Sequence, residues 1–196
     1  MWIAIGIVGG IIGLIALVAI VGALLPARHI CSRRVTLKQP PQTIWDTLVD
    51  VDNFPAWRKD VTKVERLADR DGHPVHREHC GGMIITMEQM EAIPAKRLVG
   101  RISDKSLPFG GGWTYELQAL DGGTRLTITE TGIVRNPIFR FVSRFVMGHS
   151  ATLDKYLTFL GQKFGEQVTP EPATESNPAD WKMVLVDEDV KKVASR

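Results

Sequence analysis

The sequence predicts an α+β fold: a curved antiparallel sheet of about six or seven strands wrapped on one long C-terminal helix, preceded by a single apolar helix. Three observations lead there. A run without any charged side chain fills Trp2 to Leu25. Alternating apolar and polar residues, interrupted by tight-turn pairs, dominate the middle of the chain. After Asn136 the apolar residues recur at helical spacing instead.

The N-terminal run is long enough to matter. A helix over Trp2 to Leu25 spans roughly 36 Å at about 1.5 Å per residue, more than the roughly 30 Å of a bilayer's hydrocarbon core. Pro26 and Arg28 end it. A cleaved signal peptide is the rival reading, with small residues at Gly22-Ala23 and Pro26-Ala27. It lacks a basic leader, and the apolar run exceeds the roughly 7–15 residues of a signal core, so a retained single-pass anchor is favoured. Arg28, His29, Arg33, Arg34 and Lys38 follow the span, which places the following domain on the cytoplasmic side. Gly6 with Gly10, and Gly9 with Gly13, each give G-x-x-x-G, a spacing that lets two such helices pair; small residues without a partner explain it equally.

Composition narrows the rest. With 24 Lys+Arg against 22 Asp+Glu, and a net charge of +2, no basic surface suggests nucleic acid. Two cysteines, Cys31 and Cys80, are too few for a disulfide framework. The expected division is an anchor over 1–27, one domain over 28–165 and a flexible tail over 166–196.

Within the domain, Ile30 to Leu37 reads as a strand with Cys31, Arg33, Val35 and Leu37 on one face. Pro40-Pro41 stops it and opens a short amphipathic helix carrying Ile44, Trp45, Leu48 and Val49. A turn around Asn53-Phe54-Pro55-Ala56-Trp57 follows. Strands then run over Val61–Leu67, Val75–Cys80, Met83–Ile93, Arg97–Ser103, Trp113–Leu120 and Thr124–Thr131. Asp71-Gly72, Gly81-Gly82 and Asp121-Gly122-Gly123 supply the turns. Gly110-Gly111-Gly112 precedes a strand rather than a helix, so it cannot cradle a nucleotide phosphate and reads as a flexible rim. Asn136-Pro137 caps the final helix, whose apolar residues run from Ile138 to about Phe164 with a weak point at Gly148. A curved sheet closed by that helix leaves room for an apolar pocket.

Strand alternation proposes the pocket walls: Trp113, Tyr115 and Leu117 on one strand, Ile128 and Glu130 on the next, and Met83, Ile85 and Met87 as a further row. Phe141 and Phe145 join them from the helix, and Phe54, Trp57 and Phe109 are candidates for a gate. For any one of these residues, solid core is the competing reading. An inward carboxylate must find a partner. Glu130 is therefore either paired, with Arg135 or Arg140, or an acid/base group; His149 and Tyr115 are the other weak catalytic candidates. His73, His76, His79 and Cys80 invite a metal reading, but His76 and His79 fall on opposite faces of a strand, and neither metal nor cofactor is expected.

Several segments also resemble one family. They are Pro41-Gln42-Thr43-Ile44-Trp45-Asp46, Asp50-Val51-Asp52-Asn53-Phe54-Pro55-Ala56-Trp57, Gly112-Trp113-Thr114-Tyr115, Gly123-Thr124-Arg125-Leu126 and Asn136-Pro137. Their order over Ile30 to Phe164 resembles the START/Bet v 1-like helix-grip superfamily (SRPBCC), in particular its polyketide cyclase/dehydrase-like branch. The resemblance implies a helix-grip fold and binding of a hydrophobic small molecule such as a lipid, quinone or polyketide-like compound. It also admits a cyclase or dehydratase enzyme, or a non-catalytic interaction module whose tail from Trp181 recruits a partner. Fold alone does not choose among them.

Overall fold

The structure is a computed structural model that describes residues 2–148, 150–174, 176–179 and 181–186. Helix α1 (Trp2–Leu24) is long and apolar enough to cross a membrane. Gly6, Gly9, Gly10 and Gly13 lie on its exposed part, with open space where a Cβ would project. Strand β1 (Arg28–Leu37) follows, then α2 (Pro41–Val49), a 3-10 turn (Val51–Asn53) and α3 (Phe54–Trp57). Six strands come next: β2 (Val61–Arg70), β3 (His73–Cys80), β4 (Met83–Ile93), β5 (Arg97–Ile102), β6 (Phe109–Leu120) and β7 (Gly123–Val134). Helix α4 (Pro137–Val142), a π turn (Ser143–Met147), α5 (Ala151–Lys163), the two-residue β8 (Glu171–Pro172) and α6 (Trp181–Val184) complete it.

The strands form one antiparallel sheet in the order β2-β3-β4-β5-β6-β7-β1-β8. Local chemistry explains its turns. Asp71 and Gly72 both take positive φ (51° and 81°), as do Gly81 and Gly82 (57° and 81°), the geometry that two-residue hairpins require. Register shifts in the β2–β3 and β4–β5 pairs help bend the sheet. The concave side buries its core under α5: Leu153, Leu157 and Leu160 are fully buried against Leu37, Ile44, Leu126 and Ile128.

Three expectations change. The final helix is not continuous. Its start is capped as the sequence implies, with Asn136 Oδ1 accepting from Phe139 N at 3.0 Å. The chain then widens into the π turn and leaves helical geometry at Gly148 (φ 77°). Gly110-Gly111-Gly112 is not a loop but the opening of β6, paired with β7. A side chain at Gly111 would meet the Thr131 carbonyl, so glycine there permits close strand approach. The segment expected to trail as a flexible tail lies against the convex face. Val184, Leu185 and Val186 are buried, Val184 packs with Val99 and Ala179, and Ala179 N donates to Thr114 Oγ1 at 3.1 Å. The physical reason is the apolar stretch Met183–Val186, which finds Val99 and the side-chain-free Gly112 to cover. Residues beyond Val186 lie outside the described part.

Candidate ligand cavity

Seven strands present one face inward, and α5 fills only half of it. Between the start of β1, the first halves of β4 and β6, the end of β7 and the α4–π segment lies a cavity of about 260 Å³. Met83, Ile85, Met87, Ile102, Phe109 and Ile133 supply apolar wall, and Gly110, Gly111 and Gly112 widen it by carrying no side chain.

Two polar sets border this space. In the first, Trp113 stands opposite Glu130 in the β6–β7 register and donates from Nε1 to Glu130 Oε2 at 2.9 Å. The other carboxylate oxygen lies 2.7 Å from His29 Nε2. A side chain on Gly132 would occupy the His29 ring position, so that glycine lets the imidazole lie across the neighbouring strand and reach Glu130. Glu130 is thus paired by His29 and Trp113. Arg135 and Arg140, the partners expected from sequence, instead serve backbone carbonyls: Leu107 and Phe109 for Arg135, and Val134 among others for Arg140.

The second set is deeper. Arg58 follows α3, its side chain only 8% exposed, and donates to Glu78 Oε2 at 2.8 Å and Asp60 Oδ2 at 3.2 Å. Its guanidinium carbon stands 5.2 Å from the ring centres of both Phe54 and Tyr156. Burial alone would lower the Arg58 pKa, but Glu78, Tyr156 and Asp60 outweigh it and hold the guanidinium more firmly charged than usual. Burial likewise works against the carboxylates. Hydrogen bonding from His76 and the Arg58 charge bring Glu78 below its ordinary value, and Arg58 does the same for Asp60. Cys80 donates to Asp60 at 3.3 Å; burial and that bond push its thiol up to about 11. Burial first, then Glu130, raises Cys31 too, so neither cysteine is an activated nucleophile at neutral pH. Tyr115 and Tyr156 are held protonated, chiefly by burial. Arg58 Nε and Asp60 Oδ1 have no hydrogen-bond partner among the described residues and are closed off from solvent, although both residues border the cavity.

The sequence-derived candidates therefore separate. Met83, Ile85, Met87, Phe109, Trp113, Tyr115 and Glu130 line the cavity. Leu117 and Ile128 face the same side but are packed into the core beneath α5, where leucines from the helix fill the space. Phe54 and Trp57 are also core, 5% and 8% exposed, and hold Arg58 and Tyr156 rather than a gate. Trp57 instead touches a separate surface depression with Thr43, Asp46 and Lys163. Phe141 and Phe145 pack against each other with tilted rings, centroids 4.9 Å apart, outside the cavity, Phe145 being 59% exposed. In their place Phe139 lines it, stacked on Phe109 at 5.8 Å. His149 lies outside the described residues. His76 turns inward to Glu78 while His79 faces Glu65, as their odd spacing requires, and among the described residues no group of three or more His, Cys, Asp or Glu is arranged to hold a metal.

Sequence reasoning passed over His29, Arg58, Asp60 and Glu78. His29 shares parity with Cys31, Arg33 and Val35, so extending β1 by two residues would have found it. Arg58 carried a weaker signal: a charged run set directly behind the apolar Phe54–Trp57 turn.

The profile of the polyketide cyclase/dehydrase and lipid transport family matches residues 28–154. The chain belongs to that family. Among solved structures it is similar to the Zhui aromatase/cyclase from Streptomyces sp. R1128, at 20% identity and a TM-score of 0.57 over 69% of this chain and 93% of that one. It is also similar to a START superfamily protein from Mycobacterium smegmatis, at 16% identity and a TM-score of 0.56 over 69% and 96%. These likenesses establish the helix-grip fold. No curated protein matches the chain.

Proposed function

We propose that this protein is a membrane-anchored binding protein for a hydrophobic small molecule bearing hydroxyl or carbonyl groups, such as a lipid, quinone or polyketide-like compound. One observation carries the reading: an apolar cavity of about 260 Å³ bordered by His29 and Glu130 and by the buried Arg58–Glu78–Asp60 cluster. Family membership supports it. Helix α1 supports tethering at the bilayer, where such compounds reside, and the basic residues after it favour a cytoplasmic domain. Binding and release of such a molecule need a cavity and a door, not an activated nucleophile.

The test is extraction with organic solvent of the purified full chain beside an Ile85→Trp variant, which fills the cavity, followed by mass spectrometry. A compound near one per chain in the wild type and lost from Ile85→Trp supports the reading. Equal amounts in both mark it as lipid around α1 and overturn the reading.

The pair of His29 and Glu130, 2.7 Å apart at the cavity wall, favours a second reading, an acid/base enzyme of cyclase or dehydratase type acting on the bound molecule. Full turnover by Glu130→Gln on any identified substrate removes it.

A further inference from the structure

The end of α1 and the α4–π segment are clamped together. Gly22 faces Pro137 so closely that a side chain there would collide with the Pro137 carbonyl. Arg140 reaches from α4 to the carbonyls of Gly22 and Leu25 at 3.4 and 3.3 Å, adding a cationic donor at the helix C-terminus. Among the described residues of α1, exposure is lost only toward this end, at Val18, Ala19, Val21 and Gly22, and α4 is the element packed there. Val18 lies roughly 10 Å along the helix axis before Leu25, taking about 1.5 Å per residue. The α4–π segment therefore sits beside apolar turns of the span. Its outer side is apolar in its own right: Ile138, Phe145 and Val146 are 42%, 59% and 73% exposed, with Phe141 beside them. Arg144, also exposed, suits lipid phosphate. The inner side of the same segment, Phe139 and Ser143, is cavity wall.

We propose that residues 137–146 are embedded in the bilayer's headgroup and upper acyl region beside α1, and that they form the door through which the cavity exchanges its ligand directly with lipid. The inference rests on the anchored-binding reading above. Phe139 stacked on Phe109 closes the door. Gly148, at a φ of 77° that favours glycine, is the pivot on one side, and Pro137 against Gly22 is the fixed edge on the other. The bilayer is the occupant because the exposed apolar row continues the apolar surface of α1 and carries the exposed Arg144 within it.

The experiment places an environment-sensitive nitrobenzoxadiazole label on single cysteines at 15, 121, 145 and 146. The background is a full chain with Cys31→Ser and Cys80→Ser, reconstituted in phosphatidylcholine vesicles holding spin-labelled lipid. The expected result is strong quenching at 15 by deep spin labels, strong quenching at 145 and 146 by shallow ones, and none at 121. Labels at 145 and 146 that behave like 121, with 15 still quenched, overturn the proposal and leave the anchor intact. A label at 15 that is not quenched overturns both. The door is read by stopped-flow transfer of N-phenyl-1-naphthylamine from vesicles into the cavity. Phe139→Ala should accelerate it about tenfold, and an unchanged rate overturns the gating assignment even if the segment proves embedded.

Discussion

The concave face of the sheet has two halves built from the same strands with opposite outcomes. Toward the far end, Leu37, Leu117, Leu126 and Ile128 meet Leu153, Leu157 and Leu160 of α5, and the space is filled. Toward the α1 end, Trp113, Phe109, Met87 and Ile85 point the same way and meet the α4–π segment, and the space is open. The strands themselves differ in part, with three glycines in β6, Gly132 in β7 and the inward Glu130 on the open side. The difference lies in what stands opposite. A regular helix repeats its inward face every turn, whereas the π turn adds a residue and shifts the phase, and Phe145 and Val146 within it face outward and leave the space behind them open.

The sharpest way to break this comparison is at the border of the two halves, at Arg58. Arg58→Leu should cost about 3–5 kcal/mol in denaturant unfolding, because Glu78 and Asp60 would stay buried without their countercharge. The pH dependence should also change direction. In the native protein both carboxylates have folded-state values below their unfolded ones. Their contribution is fully present above about pH 4.5 and lost as pH falls through the lowered values. In Arg58→Leu burial dominates at Asp60 and raises it, so its contribution is present at low pH and lost as pH rises. The stability gap between the two proteins should therefore widen from pH 4 to pH 7. A parallel offset at all pH values would mean that the cluster is solvated through the cavity.

Next in size is the filled half. Leu157→Ala should destabilise by about 3 kcal/mol, since a fully buried leucine leaves a hole that α5 cannot close. Thermal melts should fall accordingly while apolar-probe binding by the folded fraction stays constant. A loss of both together would show that the halves are one unit.

These two halves also mark where sequence stops being informative. Turn chemistry was fully legible: Asp71-Gly72 and Gly81-Gly82 needed positive φ, and Asn136-Pro137 could only open a helix. Inward parity was legible as well, since Trp113, Tyr115, Ile128 and Glu130 follow from a period of two. Whether an inward residue meets a leucine or a void is not a property of its own strand. That is why the sequence groups Leu117 and Ile128 with Ile85, and why it points to Phe141 as lining where the structure has Phe139. His29 was hidden for another reason: a basic residue after a membrane span has a sufficient explanation in topology, which masks its place at the head of β1.

The convex face offers a smaller effect of the same kind. Val184→Ala should cost about 1–2 kcal/mol, the loss of two buried methyl groups from the cover over Val99 and Gly112, visible in urea unfolding of the full chain. No change would indicate that the tail segment contributes cover without stability, and the convex face would then behave like the open half rather than the filled one.

The smallest stability effect is expected where the comparison is most exposed to refutation. Ile85→Trp adds a large ring on an inward position of β4, and Ile128→Trp adds a similar ring on an inward position of β7. In the filled half the ring has nowhere to go, and overpacking of a fully buried site should cost about 3 kcal/mol or prevent folding. In the open half the ring enters existing space, so stability should stay within about 1 kcal/mol of wild type. Apolar-probe affinity, by contrast, should drop at least tenfold. Paired melting curves of the two variants measure the difference directly. Equal destabilisation would show that the cavity closes around Ile85 in solution, and the asymmetry between the two halves would then be one of side-chain identity rather than of space.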